Sequence, residues 1–404
     1  MLDIISELSN ELYSPSVIAK LWGIASLKLG DKYPPSKMPE YTDPETKEYV
    51  YTSVDFWTSG FFPGSLYLLL ERMRRFPKTI PNNVPVHPLK LLHACKWWSE
   101  NLHKQAARVD THDLGFMIEP AMIKDYELTG DKRSLNTLIT AARSLASRFN
   151  EKKRYSFSDP SKDFLVIIDN MLNLDLLYYV AALTGEIRLS TIATSHAEVT
   201  LKHHIRHPVW STFHVVNFNE ESGTVKEKIT NQGYQDYSTW SRGQAWGILG
   251  FAKVYKWTKQ SKFLTAAIRL GDYFFQNLPE DGVPPWDFDA PQPTYRDTSA
   301  AMIAANGYLS MFENTNENEY LRRALYLIKS TLKTSLSPRS RFANYTLTDE
   351  VEMGDMHTIL DNATINNHEF APRKWADHGL VYADYYFMEN GNLLAKLGLV
   401  EHIS

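Results

Sequence analysis

Four short segments of this chain repeat one another, and they restrict what it can fold into more than anything else does. Leu128-Thr129-Gly130-Asp131, Leu183-Thr184-Gly185-Glu186 and Trp257-Thr258-Lys259-Gln260 read alike, and Asn314-Thr315-Asn316-Glu317 is a looser fourth. Each closes an apolar helical stretch and opens an amphipathic one. Self-similar helix pairs, spaced somewhat above the usual solenoid period, imply a helical repeat closed on itself. Periodicity gives about twelve helices, in pairs. Six pairs make an all-α (α/α)6 barrel, apolar helices inside and amphipathic helices outside. Residues 1–404 then form one domain, although the length would allow two or three.

The rest of the chain fits this frame. Residues 2–29 read as helix, broken at Ser14-Pro15, where Ser caps and Pro starts a new segment. Residues 31–55, with Pro34, Pro35, Pro39 and Pro44, read as a long loop. Loops of that length inside a compact domain are usually functional. Helical periodicity covers residues 89–107 and returns up to a last helix over 379–397. One segment departs from it: residues 210–218 have strand composition, Glu221-Ser222-Gly223 is a turn, and 224–229 is a second strand, together a small surface β-hairpin.

The chemically loaded segments all precede the more apolar helix of a pair: Trp57, His112-Asp113, Asp169, Arg242 to Trp246, Arg296-Asp297 and Asp377-His378. If those helices form a parallel inner ring, all these side chains line one cup. Asp169 follows Val166-Ile167-Ile168 and opens a helix that is apolar nearly all round. Alone it reads as a helix cap, as does Asp113. His112 alone reads as a satisfied core histidine, Trp57 as core, and Arg242 as an ion-pair partner. Coincidence at one end of a ring favours a catalytic acid at Asp169.

Composition removes other classes. A net charge of −4 without basic or acidic blocks recommends neither nucleic acid nor a membrane surface. No apolar run is long enough to span a bilayer, the first residues lack a basic leader, and the single Cys95 fits a reducing compartment, so a cytoplasmic enzyme is expected. His203, His204 and His207 have metal-like spacing but no acidic or Cys partner nearby, so no metal is expected. No phosphate loop, nucleophile elbow or zinc-protease motif is present. The 10 Trp, 22 Tyr and 19 Phe supply ring faces on which sugars stack.

At the loaded residues the sequence resembles glycoside hydrolase family 88, the unsaturated glucuronyl hydrolases. The resemblance covers nearly the whole chain. It rests on Asp55 to Gly64, on His112-Asp113-Leu114-Gly115-Phe116, and on Ile168-Asp169-Asn170-Met171-Leu172-Asn173-Leu174. It continues in Gln232-Gly233-Tyr234, in Ser238-Thr239-Trp240-Ser241-Arg242-Gly243-Gln244-Ala245-Trp246, and in Tyr382-Ala383-Asp384-Tyr385-Tyr386-Phe387.

The resemblance implies a single catalytic domain that hydrates the C4=C5 double bond polysaccharide lyases leave on a non-reducing uronate. Most glycosidases instead act with two carboxyls at the anomeric carbon. Asp169 would protonate C4 and assist water at C5, and the hemiketal would open and release the neighbouring sugar. Such an acid must be protonated near neutral pH, which burial and a second carboxylate favour. Asp113 would be that second acid. Trp57 and Trp246 would stack on sugar faces, and His112, His214, Gln232 and Arg242 would contact the uronate and its hydroxyls. Many members carry a Trp in the loop ahead of the helix acid; here that loop reads Tyr155-Ser156-Phe157-Ser158-Asp159, so stacking there is expected to be weaker or to use Phe157. The loop over residues 362–374 gives no firm match.

The partner implied is an unsaturated uronate-terminated oligosaccharide, with no obligate protein partner. No cofactor is implied, because hydration of an enol ether needs only acid–base groups. Three alternatives stand beside this reading: the sister activity on unsaturated galacturonyl-rhamnose, an (α/α)6 sugar epimerase working with His pairs, and a helical-repeat binding scaffold with no acid-lined cup.

Overall fold

A computed structural model describes residues 2–82, 84–149, 164–219, 222–343, 348–371 and 374–400. Its α-helices, in chain order, are α1 Leu2–Leu12, α2 Pro15–Ser26, α3 Phe61–Arg75, α4 Pro88–Ser99, α5 Leu114–Thr129, α6 Lys132–Ser147, α7 Asn170–Thr184, α8 Ile187–His203, α9 Ser241–Thr258, α10 Ser261–Gln276, α11 Thr298–Thr315, α12 Asn318–Ser335 and α13 Val381–Lys396. The odd-numbered helices from α3 to α13 are the more deeply buried ones. On α11 every residue from Thr298 to Met311 is buried, whereas α6, α10 and α12 bury one stripe. A helix buried all round must sit inside a second layer. The inner helices close a ring: α3 packs on α5, α5 on α7, α7 on α9, α9 on α11, α11 on α13, and α13 back on α3. This is the (α/α)6 barrel.

The four repeated junctions are one device. Gly130 and Gly185 adopt left-handed backbone at φ 72° and 77°, and Lys259 and Asn316 take the same conformation at 54° and 59°. Each donates its N–H to the carbonyl four residues back, a left-handed helix cap. The preceding Thr129, Thr184, Thr258 and Thr315 each donate a hydroxyl to the helix behind. Each hydroxyl also accepts the N–H two residues ahead. Threonine therefore recurs because it both closes the inner helix and turns the chain toward the outer one.

The inner helices are parallel. Contacts between their first turns join Phe61, Phe116 and Tyr382 of α3, α5 and α13, and Arg242 of α9 with Asp297 ahead of α11. Lys253, about three turns further along α9, reaches Glu119 of α5 and Asp175 of α7. Phe116 and Tyr386 meet Trp246 across the axis, with ring centroids 5.2 and 5.6 Å apart. These rings floor a cup at the N-terminal end.

The structure adds strands around this rim. Within the expected loop at 31–55, β1 Lys37–Thr42 pairs antiparallel with β2 Tyr49–Ser53. The expected hairpin pairs differently. Its first segment splits at Phe213 into β5 Ser211–Thr212, which pairs with β4 Ile205–Arg206, and β6 Val215–Phe218, which pairs with β7 Val225–Ile229. β6 also pairs with β3 Phe164–Ile167, the stretch leading to Asp169. β6 is buried along its length, so this is not a surface hairpin. Glu221 of the expected turn, and the Tyr155 to Asp159 loop with Phe157, lie outside the described residues. Near the C-terminus β8 Arg341–Phe342 pairs with β9 Val351–Glu352, and β10 Ala363–Asn366 with β11 Trp375–His378. Two smaller expectations fail. Residues 100–107 form a 3-10 helix rather than extending α4, and Ser14 makes no side-chain cap on α2. Among the described residues no helix is long and apolar enough to cross a membrane.

Candidate active site

Asp169 sits between β3 and α7, and the sheet fixes it: the Ile168 N–H donates to the His214 carbonyl at 3.0 Å. Asp169 is 7% exposed. Its side chain makes no cap bond to α7, so the cap explanation of this residue fails. Oδ2 is buried without a hydrogen bond. Burial pushes the carboxyl up to about 7; the Arg242 charge opposes this, Asp113 reinforces it, and the Trp246 indole N–H opposes it. A carboxyl poised there holds a proton near neutral pH and can give it up.

Asp113 does not cap α5 either. Burial raises its pKa, against the charges of His112 and Arg148 and the neighbouring polar side chains of Asn173 and Thr111. His112 Nε2 lies 3.5 Å from Asp113 Oδ2. His214 Nδ1 accepts the Asn231 N–H at 3.3 Å. The ring hydrogen of neutral His214 is therefore on Nε2, 3.8 Å from Asp169 Oδ2. Burial and the Arg242 charge push His214 down to about 3, so the ring stays neutral at working pH. Trp57 is half-buried at the rim, braced edge-on by Phe61 and Phe116 and tilted against Tyr382, and suits a sugar face. Gln232 is half-buried, and its amide nitrogen donates to the Ile365 carbonyl.

Two of the expected binding residues are fully buried. Arg242 is 1% exposed, and its terminal nitrogens are occupied. Nη1 donates to Asp297 Oδ2 at 2.7 Å and to the Thr364 carbonyl, and Nη2 to the Ile365 carbonyl. The fork ties α9 to α11 and β10, and its charge favours the ionised form of Asp169. Trp246 is fully buried and forms the floor, and its indole N–H favours the ionised form of Asp169. The motif in sequence names these residues but not the side of α9 each one occupies. Asn173, Trp240 and Tyr382 joined the site only through the structure. Trp240 lies tilted against His214 at 4.4 Å, and Arg242 lies over Trp240 and Tyr382. Spacing gave one signal: Asn173 is four residues after Asp169, on the same helix face.

His203, His204 and His207 do not converge. His203 meets Phe218 edge-on, His204 Nε2 bonds the Val166 carbonyl, and His207 meets Trp210. Among the described residues no group of three or more His, Cys, Asp or Glu side chains is placed to hold a metal.

A ring of parallel inner helices with a neutral-range buried acid, a second carboxyl and an aromatic rim defines an acid–base enzyme of carbohydrate chemistry. No protein-family model matches the chain. The chain is 34% identical over 342 residues to the unsaturated glucuronyl hydrolase of Formosa agariphila, covering 82% of this chain and 78% of that one. It is 30% identical over 360 residues to the unsaturated chondroitin disaccharide hydrolase of Streptococcus agalactiae, covering 87% and 84%. Among solved structures, an unsaturated glucuronyl hydrolase specific for heparin superposes with TM-score 0.79 at 28% identity over 100% of both chains. The chain belongs to the unsaturated glucuronyl hydrolase family and is a glycoside hydrolase.

Proposed function

We propose that this chain releases a Δ4,5-unsaturated glucuronic acid from the non-reducing end of lyase-generated oligosaccharides by hydrating the C4=C5 bond, with Asp169 as acid and Asp113 as its charged partner. The observation that carries this is the buried Asp169 carboxyl, its Oδ2 without a hydrogen bond, held near 7. Its proton passes to C4. Water adds to C5 and returns a proton to the carboxylate, so the acid is regenerated and one water is consumed. The C5 hemiketal then opens and releases the neighbouring sugar. Asp113 and His112 are placed for the ring hydroxyls, Trp57 for a sugar face, and Gln232 and the His214 Nε2–H for the uronate carboxylate. Arg242 and Trp246 act on Asp169 and not on the sugar.

Relatives that act on chondroitin disaccharide and on heparin support lyase products of glycosaminoglycans as the substrate class. A core continuous from Ile5 to Leu394 supports residues 1–404 acting as one catalytic unit. A single buried thiol supports a cytoplasmic site of action. The test is the ultraviolet absorbance of unsaturated disaccharides incubated with the protein. The conjugated double bond is the chromophore, and hydration removes it. Loss of absorbance on glucuronyl disaccharides, abolished in Asp169→Asn, is expected. Parental turnover in Asp169→Asn sinks the mechanism, and loss only on galacturonyl-rhamnose moves the chain to that activity.

A further inference from the structure

Neither acid caps the helix it precedes, so the free N–H groups at the start of α5 need another acceptor. They find it on the next inner helix. Asn173 Oδ1 of α7 accepts the Gly115 N–H at 2.7 Å and the Phe116 N–H at 3.3 Å. A helix cap normally comes from the residue just ahead of the helix; this one is supplied across the ring. The two helices touch almost at backbone distance here. A Cβ on Gly115 would lie 2.6 Å from Asn173 Oδ1 and 2.7 Å from its Cα.

With Oδ1 held by two donors, the amide cannot flip, because the flip would set its NH2 against two N–H groups. The direction of Nδ2 is therefore fixed. Nδ2 is buried and has no hydrogen bond of ordinary geometry, and the carboxyl whose charged form Asn173 favours is that of Asp113. Asn173 lies one turn below Asp169 on the same helix.

We propose that Asn173 is the positioning residue that sets Asp113 against Asp169, its oxygen anchoring the first turn of α5 and its nitrogen holding the Asp113 carboxylate. This rests on Asp113 and Asp169 being the acid pair. The role needs an acceptor and a donor on one short side chain, which aspartate, leucine and alanine lack.

Asn173→Asp separates the two functions. Its carboxylate still accepts both N–H groups, so the fold stays capped. The donor to Asp113 is lost and a like charge takes its place. The groups already facing Asp113 are His112, Arg108 and Arg148 on the positive side and Asp169 on the negative. Loss of the donor and the added charge both make Asp113 harder to ionise. We expect kcat to fall roughly tenfold to a hundredfold through misplacement of the pair, with KM changing less. The acid limb of kcat/KM moves to higher pH while the melting temperature stays near the parent's. Asn173→Ala loses cap and donor, and both stability and turnover fall.

Parental kcat and acid limb in Asn173→Asp overturn the inference, because Asn173 is then a cap and nothing more. If Asn173→Asp melts far below the parent, Asn173→Ser carries the test, and a parental limb in that folded variant overturns it equally. Asp113→Asn and Asp169→Asn are measured alongside. Parental turnover in either means that the acid pair is wrong and the inference falls with it; loss in both with parental behaviour in Asn173→Asp overturns the inference alone.

Discussion

At Asp169 the carboxyl titrates near 7 because it is buried with Oδ2 unpaired, and the same burial opposes folding. The unfolded carboxyl titrates near 3.8. Between these values the folded chain holds the extra proton, so this residue's contribution to stability falls as pH rises. Above about pH 7 the opposition is complete, on the order of 4 kcal/mol at most. Asp169→Asn is therefore expected to melt above the parent at pH 8 and level with it below pH 3.8. Thermal melting at the two pH values checks this, and equal melting at pH 8 would show that Asp169 is not held up by burial. The same acid sets the alkaline limb of turnover, which falls as pH passes about 7. Trp246→Phe keeps the aromatic floor and removes the N–H that favours the carboxylate, so the limb moves to higher pH with KM little changed. A raised KM and an unmoved limb would make Trp246 a stacking residue after all. Trp57→Ala behaves in the opposite sense: KM rises roughly fivefold for a lost stacking contact of about 1 kcal/mol, and the limb stays.

The two acids ride on neighbouring elements, α5 and α7, and Gly115 sets how closely those approach. Gly115→Ala places a Cβ against the Cα of Asn173, and backbone cannot swing aside. The helices must separate, for a stability loss of about 1–3 kcal/mol and a fall in kcat from the displaced pair. Denaturant unfolding with steady-state kinetics checks both, and parental kcat in a destabilised Gly115→Ala would free the acid spacing from this contact. The inner helices, the repeated junctions and the gathering of Asp113, Asp169 and Trp57 at one end were legible in sequence, because an all-round apolar helix and a Thr-Gly stop are local patterns. β3 was not. Val166 and Ile167 are as apolar as a helix start, and their partner Val215–Phe218 lies far along the chain. Nor was β1, where Pro39 within the strand reads as loop. The role of Arg242 was hidden for the same reason: its partners Asp297, Thr364 and Ile365 are all remote in sequence.

In the whole molecule, the ring closes where its last helix meets its first, and one cation holds that seam. Arg72, in the last turn of α3 and 1% exposed, donates through Nη1 to the Leu12 carbonyl, through Nη2 to the Met388 carbonyl and through Nε to Asn392 Oδ1. It also lies over the Tyr13 ring at 4.8 Å. One side chain thus joins α1, α3 and α13. Burial lowers its pKa only to about 10, so it remains charged at neutral pH. Arg72→Met keeps most of the apolar stem and removes the charged donor from three buried acceptors, which should lower stability by about 3–5 kcal/mol. The seam lies at the C-terminal end of α3, whereas Trp57 and the acids lie at the N-terminal ends of the inner helices. At a temperature well below its lowered melting point, Arg72→Met should therefore keep parental kcat and the parental pH profile. Thermal melting paired with kinetics in the cold checks this. A variant that melts normally but turns over slowly would show that closure at one end of the ring sets the geometry of the cup at the other.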